Sequence, residues 1–169
     1  YDYLYVDPSY VMAFIENHDT DRFLGEGQDS LALKQALALL LTVNRIPQLY
    51  YGTEIMMNGT KQVTDGNVRR DFPGGFPGDT RNAFNKAERT KAEQNMYSWT
   101  SRLLHWRQGN DVITKGKQTQ FIPVKGVYVV ARTLGDKAVM TVINGTSKAA
   151  TMPVERYAEI IGDRKEATN

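Results

Sequence analysis

In the first half of the chain, short unbroken apolar runs stop abruptly at polar clusters; in the last third they alternate with turn residues. The first run, Val11-Met12-Ala13-Phe14-Ile15, ends at Glu16-Asn17-His18-Asp19-Thr20-Asp21-Arg22. An apolar run that breaks off in this way predicts a buried parallel strand whose C-terminal end opens on a site. Gly25, Gly27 and Gln28 predict a loop, and Asp29-Ser30 an N-cap. The Leu- and Ala-rich stretch from Leu31 to Val43 predicts the strongest helix, apolar on most faces and so expected to be well buried. Ile46-Pro47-Gln48-Leu49-Tyr50-Tyr51 predicts a second buried strand, with Pro47 near its start. Strand, helix and strand fit a βαβ unit, hence a parallel α/β sheet.

From Met57 to Arg81 the chain is rich in Gly, Asp, Asn and Pro, and loops of that length inside a compact domain tend to be functional. Met96, Trp99, Leu103 and Trp106 recur at steps of three or four, which predicts a helix from about Lys91 to Gln108. Beyond Gly109 the period changes. Gln120 to Pro123, Val127 to Ala131 and Ala138 to Ile143 are β-type runs separated by Gly126, Gly135-Asp136 and Asn144-Gly145, an antiparallel signature. A boundary between Gly109 and Lys117 follows, giving predicted domains of 1–112 and 113–169.

Composition narrows the classes. Among 169 residues, 41% hydrophobic and 24% charged is the balance of a globular protein. A net charge of +2, with its basic residues scattered, argues against nucleic acid as a partner. The absence of cysteine removes disulfides, thiolate metal sites and thiol nucleophiles. Lys34 and Gln35 interrupt the longest apolar stretch, so a membrane partner is not expected. The opening Tyr1-Asp2-Tyr3 has neither an initiator Met nor the pattern of a secretory leader, and reads as cut from something longer.

The cluster after the first run has two readings. Asn, His and Asp can simply end a strand and begin a turn. Parallel α/β sheets, however, keep their chemistry at these strand ends, and the density of polar groups from Asn17 to Arg22 favours a site.

Phe14-Ile15-Glu16-Asn17-His18-Asp19 resembles the FxxNHD motif that ends the seventh barrel strand in the α-amylase family of glycoside hydrolases. Ile46 to Glu54 resembles that family's GIPxxYYGxE stretch in the eighth strand, with Arg45 in place of the usual Gly. Asp65-Gly66-Asn67-Val68-Arg69 resembles the DxxxR element of the cyclomaltodextrinase and neopullulanase group. The resemblance implies the last two βα units of a TIM (β/α)8 barrel, followed by an incomplete antiparallel β-sandwich.

Retaining glycosidases need an acid and a nucleophile about 5–5.5 Å apart. In the family a third carboxylate supports the cationic sugar, and the matching residue is Asp19. By the same resemblance His18 bonds sugar hydroxyls, Asn17 and Arg22 belong to the same binding cluster, and Asp65 and Arg69 hold a sugar beside the cleaved bond. The family's nucleophile and general acid lie upstream of Tyr1, so this chain alone is expected to be inactive while its parent cleaves α-1,4-glucans: maltodextrin, cyclodextrin or pullulan. The alternative is a non-catalytic carbohydrate-binding or interaction protein on an amylase-like domain.

No cofactor is expected in this segment. Its Asp and Asn residues lack the spacing of a calcium loop, although the resemblance permits structural calcium in the parent. The expected partner is an α-glucan oligosaccharide, with self-association through uncovered strand edges. The subgroup implies a periplasmic or other extracytoplasmic location, with the cytoplasm as the alternative. Other residues have plainer readings: Glu16 as a surface or loop group, Glu54 as an acceptor for nearby backbone, Asp65 with Arg69 as a loop staple, His105 as surface. Tyr50, Tyr51, Trp99 and Trp106 are read as core, the two tryptophans on one helix face.

Overall fold

The structure is a computed structural model that describes residues 2–25, 30–164 and 167–168. It divides into two compact units: Tyr1–Leu41 with Arg45–Trp106, and Thr42–Asn44 with Arg107–Asn169.

In the first unit β1 (Met12–Ala13) and β2 (Ile46–Pro47) pair in parallel, Met12 opposite Ile46 and Ala13 opposite Pro47. Val11 O accepts from the Ile46 N–H at 3.1 Å, and Ala13 O from the Gln48 N–H at 2.8 Å. Both strands are shorter than predicted. Pro47 has no N–H to extend the ladder, and among the described residues no other strand pairs with either one.

The intervening helix α1 (Ser30–Thr42) turns Leu33, Leu37 and Leu40 inward, at steps of four and three. They pack with Leu24 and with Met96 of a later helix, and Ile15, Phe23, Leu49 and Trp99 close around them. Each such buried side chain contributes about 1.5–3 kcal/mol. Leu41 and Thr42 are buried as well and most of the remaining positions are half-buried, so the helix is well covered except in its first turn, where Leu31 is exposed. The predicted cap at Asp29, with Gly27 and Gln28, lies outside the described residues.

The long loop contains one helical turn, α2 (Asp65–Val68), capped by Thr64. Asp79 Oδ2 accepts from the Gly74 and Phe76 N–H groups at 3.0 Å, tying the Gly-rich part into a turn.

Helix α3 (Lys91–Gln108) starts with a reciprocal cap. The Glu93 N–H donates to Thr90 Oγ1 at 3.2 Å, and the Thr90 N–H to Glu93 Oε2 at 2.8 Å. Arg81 grips the same carboxylate with both guanidinium nitrogens, at 2.8 and 2.7 Å. Trp99 packs on the core, but Trp106, two turns on, lies beyond it and is exposed, against expectation.

The second unit opens with α4 (Asp111–Lys115), capped by Asn110. Three antiparallel strands follow in the order β3 (Lys117–Val124), β4 (Val127–Leu134), β5 (Lys137–Asn144). Lys125 and Gly126 both take positive φ, as a two-residue hairpin turn requires, and Gly135 does so in the second turn. Register slips between Phe121 and Val124, around Pro123. The central strand β4 is buried on both faces. Val127 and Val129 pack with Tyr157, Phe121 and Met140; Tyr157 precedes the short helix α5 (Ala158–Ile161).

Arg132 of β4 is buried, and among the described residues no carboxylate pairs with it. It donates to Gly116 O at 3.2 and 2.7 Å, to Thr42 O at 3.3 Å and to Asn44 Oδ1 at 3.2 Å. Thr42 and Gly116 stand at the C-terminal ends of α1 and α4, so carbonyls at the negative ends of two helices offset the buried cation.

Candidate active site

The site is a short loop displayed from the end of β1. Asn17 folds it: Asn17 Oδ1 accepts from the Asp19 N–H at 2.8 Å, while the Asn17 N–H donates to Thr20 Oγ1 at 3.0 Å. That turn projects His18 and Asp19 outward, with side chains 62% and 63% exposed and His18 Nε2 3.2 Å from Asp19 Oδ2.

Residues 50 positions away complete the arrangement. Arg69, at the end of α2, donates from Nη2 to Asp19 Oδ1 at 3.1 Å and from Nε to His18 O at 2.9 Å. Asp65, one helical turn earlier, has Oδ2 3.9 Å from Arg69 Nη2. Thus four expected site residues, His18, Asp19, Asp65 and Arg69, share one surface, with Asn17 shaping the turn.

Lys61 joins them without having been anticipated, and Asp21 joins them from the dense polar cluster after β1. Lys61 Nζ lies 3.3 Å from Asp65 Oδ1 and donates to Asp19 O at 3.2 Å, and the Lys61 N–H donates to Asp21 Oδ1 at 2.6 Å. Charges of opposite sign alternate across the surface, and each exposed pair contributes about 0–1 kcal/mol. Asp65 and Arg69 therefore do form a loop staple, yet one that ends on Asp19.

Two assignments change. Arg22, expected to bind substrate, has a side chain with 0% exposure. Its Nη1 donates to Tyr51 O at 2.7 Å and to Glu16 Oε1 at 3.3 Å, and its Nε to Val68 O at 3.1 Å. The guanidinium carbon stands 4.0 Å from the centroid of the Tyr50 ring and 4.9 Å from that of Tyr51. Its cation is sealed beneath the loop, so it holds the site from behind.

Glu16, expected at the surface, is 2% exposed. Besides Arg22 it accepts the Phe23 N–H and the Thr53 hydroxyl. A charge can be buried there because three donors meet it. Tyr50 and Tyr51 serve that cation, and Tyr51 is exposed, its hydroxyl donating to Arg70 O at 2.8 Å. Glu54 borders a cleft of about 370 Å³ with Leu49, Tyr50 and Tyr97, and no hydrogen bond to it is found among the described residues. His105 is exposed as expected, its Nδ1 2.7 Å from Ser101 O.

The exposed surface offers a carboxylate flanked by an imidazole and a guanidinium, a set of acceptors and donors that matches neighbouring hydroxyls. Among the described residues no group of three or more His, Asp or Glu is placed to hold a metal ion.

Residues 118–169 match the family model of the cyclo-malto-dextrinase C-terminal domain. Over 169 residues, 95% of this chain and 21% of the relative, the sequence is 30% identical to a cyclomaltodextrin glucanotransferase of Paenibacillus macerans. An α-amylase of Niallia circulans is 32% identical over 133 residues, covering 79% of the chain and 22% of the relative.

Two solved structures align well. The γ-CGTase of alkalophilic Bacillus clarkii has a TM-score of 0.60 at 28% identity, covering 84% of this chain and 18% of that one. The α-amylase of Geobacillus thermoleovorans, complexed with acarbose, has a TM-score of 0.64 at 29% identity, covering 85% and 29%. The chain spans about a fifth of the length of the curated relatives it matches.

The relatives matched are cyclomaltodextrin glucanotransferases and an α-amylase. These relatives and structural neighbours are enzymes of the α-amylase family of glycoside hydrolases, and the closing β region of this chain matches a cyclomaltodextrinase-type C-terminal domain.

Proposed function

We propose that this chain is part of an enzyme that cleaves α-1,4-glucans with retention, the βαβ unit being its last two barrel strands and Asp19 the carboxylate that steadies the cationic sugar. The single observation that carries the reading is the meeting of His18 and Asp19 with Asp65 and Arg69 across 50 positions of sequence. Two motifs chosen only for their likeness to sugar-binding elements meet on one surface. A fixed negative charge beside a developing positive centre contributes several kcal/mol in a dry site.

The nucleophile and general acid come from other segments, and the substrate is an α-glucan oligosaccharide. No cofactor is drawn from this segment, and the enzyme works outside the cytoplasm. In the full-length polypeptide, Asp19→Asn should lower kcat on maltodextrin, cyclodextrin and pullulan by roughly 100- to 1,000-fold, while the 169-residue chain alone releases no reducing sugar. A variant with unchanged kcat, or hydrolysis by the chain alone, would overturn the reading.

A further inference from the structure

Two loops build the candidate site, and nothing at its exposed surface is strong enough to fix their spacing. The bridges there are solvent-exposed pairs, each of which contributes little. The rigid connection lies underneath. Glu16 closes the base of the Asp19 loop by accepting from Arg22 and from the Phe23 N–H, and it reaches the turn after β2 through the Thr53 hydroxyl. Arg22 then crosses to the second loop: its Nε donates to Val68 O at 3.1 Å, and its N–H to Gly59 O at 3.0 Å. Val68 immediately precedes Arg69, the residue that grips Asp19.

One buried guanidinium therefore ties the Val68 carbonyl of the second loop to the Glu16 carboxylate at the base of the Asp19 loop, and the Arg22 main-chain N–H adds the bond to Gly59. Tyr50 stacks on the guanidinium and Tyr51 O accepts from it, which leaves it no alternative position. Its Nη2, also buried, has no hydrogen-bond partner among the described residues. Such a cost is tolerated where placement of the group matters more than its own satisfaction.

We infer that the buried Glu16–Arg22 pair is a positioning device for catalysis, a latch that sets the Asp19 carboxylate against Arg69 and Asp65. The inference rests on the proposed role of Asp19. Arg22 touches no substrate; it acts through the carbonyl of Val68 and the loop that bears Asp19. Lysine at position 22 keeps the charge opposite Glu16 but loses the fork that reaches Val68 and Tyr51 together.

The test is a double-mutant cycle in the full-length polypeptide, assayed on maltodextrin. Arg22→Lys should lower kcat by roughly 10- to 100-fold, the effect of an error of about 1 Å in placement. In an Asp19→Asn background the same substitution should change kcat by less than about threefold, because the group it positions is gone. Glu16→Gln should behave likewise, and thermal melting reports how much of each folded state survives at the assay temperature. If Arg22→Lys costs the same factor in both backgrounds, the pair is merely structural and the latch is refuted while the role of Asp19 stands. If Asp19→Asn alone leaves kcat unchanged, the reading beneath the latch fails instead.

Discussion

Glu93 shows how one side chain can serve two structures at once. It closes the first turn of α3 through Thr90 and receives both arms of Arg81 from the long loop. The Arg81 bonds, helped by the Thr90 N–H and opposed by burial, hold its carboxyl at about 2, against an ordinary value of 4.5. The folded-state value is the lower one, so the stabilisation is complete above about pH 4.5 and drains away as pH falls toward 2. Glu93→Gln should cost about 2 kcal/mol at pH 6. In chemical denaturation at a series of pH values, the gap between variant and parent should narrow below about pH 4.5 and close as pH approaches 2; a gap constant with pH would refute the assignment. Thr90 with Glu93 is also a sequence signature, Thr-x-x-Glu ahead of an apolar-periodic run, and could have been read directly. The burial of Glu16 could not. Its partners Arg22, Phe23 and Thr53 lie up to 37 positions away, and only the parallel pairing of β1 with β2 brings them together.

At the scale of elements, periodicity was a good guide wherever local pattern decides the outcome. Helix α3 follows from Met96, Trp99 and Leu103 because a repeat of three to four admits no other regular structure. The strands of the second unit follow from their turns, since Lys125-Gly126 and Gly135 supply the backbone angles that hairpins need. The strands of the first unit were overextended, because a strand is defined by its neighbours and each of these has one. A buried arginine inside a β-run is equally illegible: Val127 to Ala131 reads as simple core, and nothing local says that Arg132 next to it binds the Thr42 and Gly116 carbonyls. Burial, and secondarily the like charge of Arg107, lower its guanidinium to about 10, so at neutral pH it remains a cation, held by the Gly116 and Thr42 carbonyls and the Asn44 side-chain oxygen. Arg132→Met should destabilise the chain by about 3 kcal/mol, because the Gly116 and Thr42 carbonyls lose their donor. Arg132→Lys should recover only part of that, since one ammonium cannot span the same acceptors. Urea midpoints measure both, and a Met variant as stable as the parent would remove Arg132 from the account of this unit.

At the scale of the whole molecule the first unit leaves much apolar surface uncovered. Tyr3, Leu4, Val6, Tyr10, Met12, Phe14 and Ile46 are all exposed, and they fall on the opening segment and on the two short strands. Exposed apolar side chains concentrated on one segment and one strand pair mark a contact face, and a parallel pair that no other strand flanks among the described residues is a template for further pairing. Two strands alone are also too few to hold a parallel sheet, whose faces are ordinarily covered on both sides. We therefore expect the 169-residue chain to self-associate through the first unit. Sedimentation velocity over a hundredfold range of concentration should show species heavier than the 19.1 kDa monomer, growing with concentration. Replacing Met12 and Ile46, which face each other across the pair, with lysine should shift the distribution back to monomer by placing like charges on that face. The site surface of Asp19, Asp65 and Arg69 involves neither residue, so the spectrum of His18 should be unchanged by the two lysines. A parent chain that stays monomeric at every concentration would mean that this apolar surface is satisfied within the chain itself.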